Sequence, residues 1–229
     1  MNHPAALPVI VVIPAFNEGR VVRSVVEGVL ACGHQVIVVD DCSIDDTGAA
    51  LTSLPCTVLR HVVNLGQGAA LQTGIEEAVA RGAEVVVTFD ADGQHDPADI
   101  ARLVHALADP ALDVALGSRF LGDTIGMTQS RKLLLRAAIL FTRWTTGLTL
   151  TDVHNGLRAF RARVAPQLVL RQNRMAHASE LLSRVRQHGL RFVEVPVTIR
   201  YSAYSRAKGQ SALGALDVLS DLLQMRFFS

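Results

Sequence analysis

Asp90 and Asp92 stand one residue apart, directly after the apolar run Val85–Phe89. On an extended chain, side chains at i and i+2 share a face and lie about 6–7 Å apart at the backbone. Two carboxylates so placed can converge on one cation, or on a cation and its waters. Mg2+ and Mn2+ prefer oxygen ligands and share them with substrate phosphates. Gln94 can add a carbonyl oxygen. Asp90-Ala91-Asp92 is therefore read as a divalent-metal site with Gln94 beside it, against the plainer alternative of a polar turn ahead of Pro97.

Three other segments carry groups that could serve the same chemistry. Asp40-Asp41-Cys42-Ser43 also leaves an apolar run, and a carboxylate there can accept hydrogen bonds from a base N–H or from ribose hydroxyls. The competing reading is helix capping by Ser43, with Asp45 and Asp46 near the positive helix end. Asn64-Leu65-Gly66-Gln67-Gly68 opens a helical pattern. Gly68 would allow close backbone approach, and helix N-terminal N–H groups attract phosphate. It is not a P-loop, because the Gly-Lys-Ser/Thr ending is missing, and no GxGxxG follows the first strand. Arg119, Arg131, Arg200, Arg206 and Lys208 fall in loops or at element ends. Two or three of them could clamp an anionic acceptor or a leaving diphosphate; each alone is equally readable as solvated charge.

The elements that would position these groups alternate. Val9–Ile13, Val36–Val39, Thr57–Arg60, Val85–Phe89 and Val114–Leu116 are short, largely β-branched runs suited to buried parallel strands. Helical spacing separates them: Val21 to Leu30, a short helix after Ser43, Gly68 to Arg81, and a helix whose first turn holds Pro97. Such alternation means βαβ units and a Rossmann-like, mostly parallel sheet over the first ~120 residues. Asn17-Glu18, Asp40-Asp41, Asn64 and Asp90-Asp92 then collect at the strand C-terminal ends, where open α/β sheets bind ligands. Beyond that half, 118–132 reads as a polar loop and Leu133–Trp144 as an apolar helix carrying Arg136 and Arg143. Phe160, Val193, Val195, Val197 and Ile199 suggest strands at a sheet edge. Ala178–His188 and Ser211–Phe227 look helical. A single domain is expected.

Composition narrows the function. The chain has 229 residues, 49% hydrophobic and 19% charged, and a formal net charge of +1. These are globular values, and the charge gives no reason to expect nucleic acid as a partner. The basic residues are nearly all arginine, with Lys132 and Lys208 the exceptions. Three cysteines without a CxxC pair argue against a disulfide scaffold or structural zinc, and fit a reducing compartment. The N-terminus lacks a basic n-region and its apolar run is broken by Pro8 and Pro14, so it reads as a strand rather than a signal peptide. No apolar run reaches the ~18–20 residues that span a bilayer. No HExxH spacing and no nucleophile elbow occur, which disfavours zinc and acyl-enzyme chemistry.

In their order along the chain, IPAFNEG (13–19), VDDCSIDDT (39–47), NLGQGAALQTG (64–74), FDADGQH (89–95), GSRF (117–120), TDVHNGLRAF (151–160) and VPVTIRY (195–201) with AKGQS (207–211) resemble glycosyltransferase family 2. The nearest subgroup in pattern is the dolichol- or polyprenyl-phosphate hexose synthases. The resemblance implies a GT-A fold, with residues 1–120 binding a nucleotide sugar and 121–229 the acceptor. It implies that Pro14, Asn17 and Glu18 border the nucleotide and that Asp40 or Asp41 reads base or ribose. Asp90, Asp92 and Gln94 would hold Mg2+ or Mn2+ on the diphosphate. Arg119 and Arg131 would meet donor or acceptor phosphates, with Arg206 and Lys208 doing so from the C-terminal loop. Two departures stand out: the usual glycine of VDDGS is Cys42, and the usual Ser-Lys after the late glycine is Gln210-Ser211.

The expected reaction is an inverting transfer of a hexose, of the GDP-mannose or UDP-glucose type, to a polyprenyl or dolichyl phosphate. A phosphate monoester, with its second pKa near ~6, is already largely ionised at neutral pH and needs no strong base. A hydroxyl acceptor would need one, for which Asp152 and Glu180 are candidates. A hydroxyl-directed transferase and a non-catalytic nucleotide-sugar-binding subunit are the alternatives. The 133–144 helix could be interfacial, with apolar residues against acyl chains and arginines reaching headgroups, or a core helix. Leu213–Phe228 is a second candidate for membrane contact or for docking a membrane protein. The expected place is the cytoplasm, peripheral at the inner face of the cell membrane.

Overall fold

The computed structural model describes residues 8–172, 176–202 and 204. Arg206, Lys208 and the helical pattern at 211–227 lie outside the described residues, as does the start of the N-terminal segment. The elements are β1 (Val9–Ala15), α1 (Val22–Ala31), β2 (Gln35–Asp40), α2 (Thr47–Leu51), β3 (Thr57–Arg60), α3 (Gln67–Ala80), β4 (Val85–Thr88), α4 (Asp99–Ala106), β5 (Val114–Ser118), β6 (Thr124–Ile125), α5 (Gln129–Thr146), β7 (Arg158–Arg161), a 3-10 turn (Ala162–Gln167), α6 (Ala176–Gln187), β8 (Phe192–Pro196) and β9 (Ile199–Arg200).

Seven strands form one sheet in the order β3-β2-β1-β4-β7-β5-β8. β1 pairs in parallel with β2 and β4, and β2 with β3. Val11, Val12 and Ile13 of β1 are fully buried, as a strand covered on both faces by helices must be. One apolar layer lies between the sheet and α3, with Ile10, Val12, Leu71 and Ile75. The other lies under α1 and α4, with Val11, Ile13, Val26, Ile100 and Leu103. Gly74 lets α3 sit down on β1, since a Cβ there would meet the Val12 side chain.

Three sequence expectations need correction. The strand at Phe160 is not at an edge: β7 lies inside the sheet, antiparallel to both β4 and β5. Its burial on both faces follows from the apolar residues around it, but pattern alone carries no strand order. Of the late strands, β8 takes the edge beside β5, while β9 leaves the main sheet and pairs with β6. The 118–132 stretch is not only loop, because it contains β6 and the first turn of α5. Finally, Ser43 caps no helix. α2 begins later, at Thr47, and the Ser43 hydroxyl instead accepts the backbone N–H of Asn17 at 2.9 Å.

α5 resolves the question posed by its composition. Ala138 and Thr142 are buried and Ile139 packs on the core, so one face is docked. Leu133, Leu140 and Trp144, at helical spacing on the other face, are about 70% exposed. The helix is capped at its start by Thr128, whose side chain accepts from the Arg131 N–H. It ends at Gly147 in the left-handed conformation, φ 66°. Among the described residues, no helix is long and apolar enough to cross a membrane.

Candidate active site

β1, β2 and β4 run parallel, so the chain leaves all three at the same edge of the sheet, at Phe16, Asp41 and Phe89. A cavity of about 610 Å3 opens there, within the range of small-molecule sites. Pro14, Glu18, Asp41, Asp90, Ala91, Asp92, Gln94, Arg119 and Arg131 all line it. Asn17, Asp40 and Gly68 do not.

The carboxylate pair is held from several sides. Asp90 Oδ1 accepts from Gln67 Nε2 at 3.1 Å, and its Oδ2 lies 3.1 Å from His95 Nε2. Asp92 Oδ1 accepts the backbone N–H of Gln94 at 3.0 Å, and Asp92 Oδ2 accepts Gln94 Nε2 at 2.7 Å. The Gln94 amide thus grips Asp92. The small β6–β9 sheet pins this loop, with the Arg200 N–H donating to the Gln94 carbonyl at 2.9 Å and His95 bridging to Ile199. Gly156 must be bare, since a Cβ there would fall on the Asp90 carboxylate.

The two acids are electrostatically split. Burial works to raise Asp90, but the His95 hydrogen bond and the charges of His95, His177 and Arg158 outweigh it and hold this carboxyl below the usual range. Burial, and then the negative charge of Asp90, push Asp92 up to about 6. Like charges this close invite a cation, and both acids present hard oxygen. No cluster of three or more His, Cys, Asp or Glu side chains suited to enclosing a metal occurs among the described residues. Asp90 and Asp92 could supply part of a coordination shell, with phosphate oxygens and water as the remainder, the usual arrangement for Mg2+.

Asp40 and Asp41 divide their work. Asp40 is buried, accepts the Ser43 N–H at 2.8 Å and pairs with Arg60 at 3.0 Å, all away from the cavity. Asp41 reaches the cavity wall and accepts the Leu65 and Gly66 N–H groups at 2.9 and 2.7 Å, with His61 Nδ1 at 2.7 Å. It ties the 64–66 loop to β2. Between the loop-forming groups, Cys42 stands at φ 63°, a left-handed conformation that favours glycine. Gly68 serves packing: a Cβ there would overlap the Gln172 carbonyl, so its bareness lets the approach to α6 pass close by.

Glu18 is buried. Its backbone N–H donates to Thr47 Oγ1 at 2.8 Å, and its Oε2 accepts from the Tyr204 hydroxyl at 2.9 Å. Asn17 sits beside it at φ 55°, with its side-chain oxygen accepting the Ile44 N–H. Arg119, also in the cavity lining, is held by the protein. Its Nε donates to Asp152 at 2.6 Å, Nη1 to the Tyr201 hydroxyl at 2.9 Å and Nη2 to the His154 carbonyl at 2.8 Å. Arg131, on the first turn of α5, lies over the Tyr201 ring at 5.0 Å.

Reasoning from the sequence missed Gln67, His95, His154, Gly156 and Arg158 as parts of this site. His95 and Gln67 sit inside motifs already singled out, but only folding brings them to Asp90. Arg158 is wholly buried, which lowers it to about 10, and the charge of Asp90 opposes that drop.

The family model for glycosyl transferase family 2 matches residues 10–168. The chain belongs to glycosyltransferase family 2. Among the relatives, a UDP-N-acetylglucosamine–dolichyl-phosphate N-acetylglucosaminyltransferase of Methanococcus voltae is 30% identical, covering 94% of this chain and 94% of that protein. A polyprenol monophosphomannose synthase of Mycolicibacterium smegmatis is 33% identical over 82% of this chain and 76% of its own length. Glucosyl-3-phosphoglycerate synthase of Mycobacterium tuberculosis, solved with Mn2+, UDP and glucosyl-3-phosphoglycerate, superposes with a TM-score of 0.72 at 20% identity, covering 96% of this chain and 80% of that one. The fold is thus GT-A and the protein is a glycosyltransferase.

Proposed function

We propose that this family 2 enzyme transfers a hexose, with inversion, from a nucleoside-diphosphate sugar to a polyprenyl or dolichyl phosphate, and that Asp90 and Asp92 hold Mg2+ or Mn2+ on the donor diphosphate. The observation that carries the reading is the carboxylate pair and Arg131 lining one cavity. When bound, the metal supplies positive charge to the leaving diphosphate. Pro14, Glu18 and the loop tied down by Asp41 would border the nucleoside. Residues up to about 120 form the donor side and α5 the acceptor side, with the 151–156 loop between them.

Of the two carboxylates considered as a base for a hydroxyl acceptor, neither is free to act as one among the described residues. Asp152 is engaged by Arg119 in a buried ion pair. Glu180 accepts the backbone N–H groups of Arg171 and Gln172 and pairs with Arg184. Neither lines the cavity. A hydroxyl acceptor would need such a base within hydrogen-bond reach; a phosphate brings its own charged oxygen, and Arg131 is placed to receive it. Arg119 lines the same cavity and holds the Tyr201 ring under Arg131. The names of the two curated relatives, both acting on polyprenyl-type lipids, support the same choice.

The exposed face of α5 fits a peripheral approach to such a lipid. Leu133, Leu140 and Trp144 point outwards with Arg136 and Arg143 beside them, an arrangement suited to an anionic interface. The test is a panel of labelled nucleotide sugars incubated with polyprenyl phosphate, with and without Mn2+. Metal-dependent label in the lipid fraction supports the proposal, and label only on soluble hydroxyl acceptors would overturn it.

A further inference from the structure

His154 lies in the 151–156 loop and lines the cavity together with Asp90, Ala91, Gly156 and Arg119. Both its ring nitrogens are buried, and neither has a hydrogen-bond partner among the described residues. Buried polar groups are ordinarily satisfied, so an orphaned pair on a cavity wall calls for a partner beyond the described residues, such as a bound ligand.

The backbone that carries the ring is held in place. The His154 N–H donates to Asp152 Oδ1 at 3.3 Å, and its carbonyl accepts Arg119 Nη2 at 2.8 Å. One residue on, the Asn155 carbonyl accepts Arg158 Nε at 2.9 Å. Upstream, the Thr151 N–H and hydroxyl are both bound to Glu194. The loop is fixed by buried charges on either side of a ring that binds nothing.

Burial first, and then the charge of Arg158, hold this imidazole down to about 4, so it is neutral at pH 7. A neutral imidazole offers one N–H donor and one acceptor nitrogen. An ionised phosphate has only acceptors and would leave one nitrogen unpaired. Sugar hydroxyls both donate and accept, and neighbouring hydroxyls of one ring can meet both nitrogens.

We propose that His154 reads hydroxyl groups of the transferred hexose and so helps to set which sugar is accepted. This rests on the donor site proposed above. It places the hexose across Asp90 and Gly156, with the nucleoside towards Glu18 and Asp41.

The test is donor binding. Calorimetric titration with Mn2+ would compare UDP, UDP-glucose, UDP-N-acetylglucosamine, GDP and GDP-mannose on the wild type, His154→Ala and His154→Gln. For the nucleotide sugar that binds the wild type, His154→Ala should weaken binding by about 10-fold or more, as expected for a lost hydroxyl contact. Affinity for the matching nucleoside diphosphate should stay the same. His154→Gln, which keeps a donor and an acceptor, should recover part of the loss. Equal weakening of the sugar and its nucleoside diphosphate, or of neither, overturns the assignment. A wild type that binds no nucleotide sugar overturns the donor reading and this one together. Failure to label polyprenyl phosphate would instead count against the acceptor alone, since binding of the donor does not depend on it.

Discussion

Gly156→Ala should damage this enzyme far more than a single methyl group would suggest. The added Cβ would lie 2.5 Å from Asp90 Oδ1 and closer still to Oδ2. Ordinary contact needs roughly 3.4 Å or more, so the carboxylate must move by about 1 Å. It cannot do so freely, because Gln67 and His95 hold its two oxygens. Metal–ligand distances tolerate about 0.2 Å, and a misplacement of about 1 Å at a reacting centre can cost about 100-fold. We therefore expect kcat/KM to fall about 100-fold, equivalent to ~2.7 kcal/mol of transition-state stabilisation. Overpacking should lower stability by ~1–3 kcal/mol, so the variant should remain folded. Gly156 is not in the left-handed region, so no backbone strain confounds the comparison. The assay is sugar transfer at saturating Mn2+ alongside Mn2+ titration and thermal unfolding. A folded Gly156→Ala protein with wild-type Mn2+ affinity and rate would refute the placement of Asp90 in the metal site.

Metal binding should strengthen as the pH rises through about 6, because Asp92 must lose its proton to act as a ligand. In the metal-free protein this raised carboxyl contributes stability at low pH that is lost as the pH climbs through the same value, so the rise in Tm produced by Mn2+ should be larger at about pH 7 than at about pH 5; equal rises would contradict the assignment. Cys42→Gly should raise stability by about 1 kcal/mol in urea unfolding, by relieving a left-handed residue at φ 63°, and a loss of stability would mean that the Cys42 contact with the Val62 carbonyl matters more. The chain has one tryptophan, so its fluorescence reports on Trp144. Anionic vesicles should shift that emission to the blue at low salt, and Leu140→Glu should abolish the shift; an unchanged spectrum would remove α5 from the membrane account.

Much of this architecture was legible because local rules agree with the global fold. Val9–Ile13 and Val85–Phe89 have the β-branched pattern that suits doubly covered strands, and parallel strands separated by helices put Asp41 and Asp90 at one edge. Strand order was not legible. Nothing in Arg158–Arg161 says that it inserts between β4 and β5, yet that insertion brings Gly156 against Asp90 and His154 into the same cavity lining. Ser43 reads as a cap because its type and spacing suit one, and a long-range bond to Asn17 prevails instead. The resemblance implies a phosphate role for Arg119, but its burial is not legible, since surface and buried arginines look alike in sequence. Only the pairing with Asp152, 33 positions away, reveals its structural commitment. Cys42 is the reverse case: the glycine usual at that position is explained once its backbone angle is known.

The most direct test compares polyprenyl phosphate with the corresponding polyprenol as acceptors for a labelled nucleotide sugar, using the wild type and Asp92→Ala with Mn2+. The account predicts label on the phosphate alone, and its loss in the variant. Label on the polyprenol, or undiminished transfer by Asp92→Ala, would contradict it.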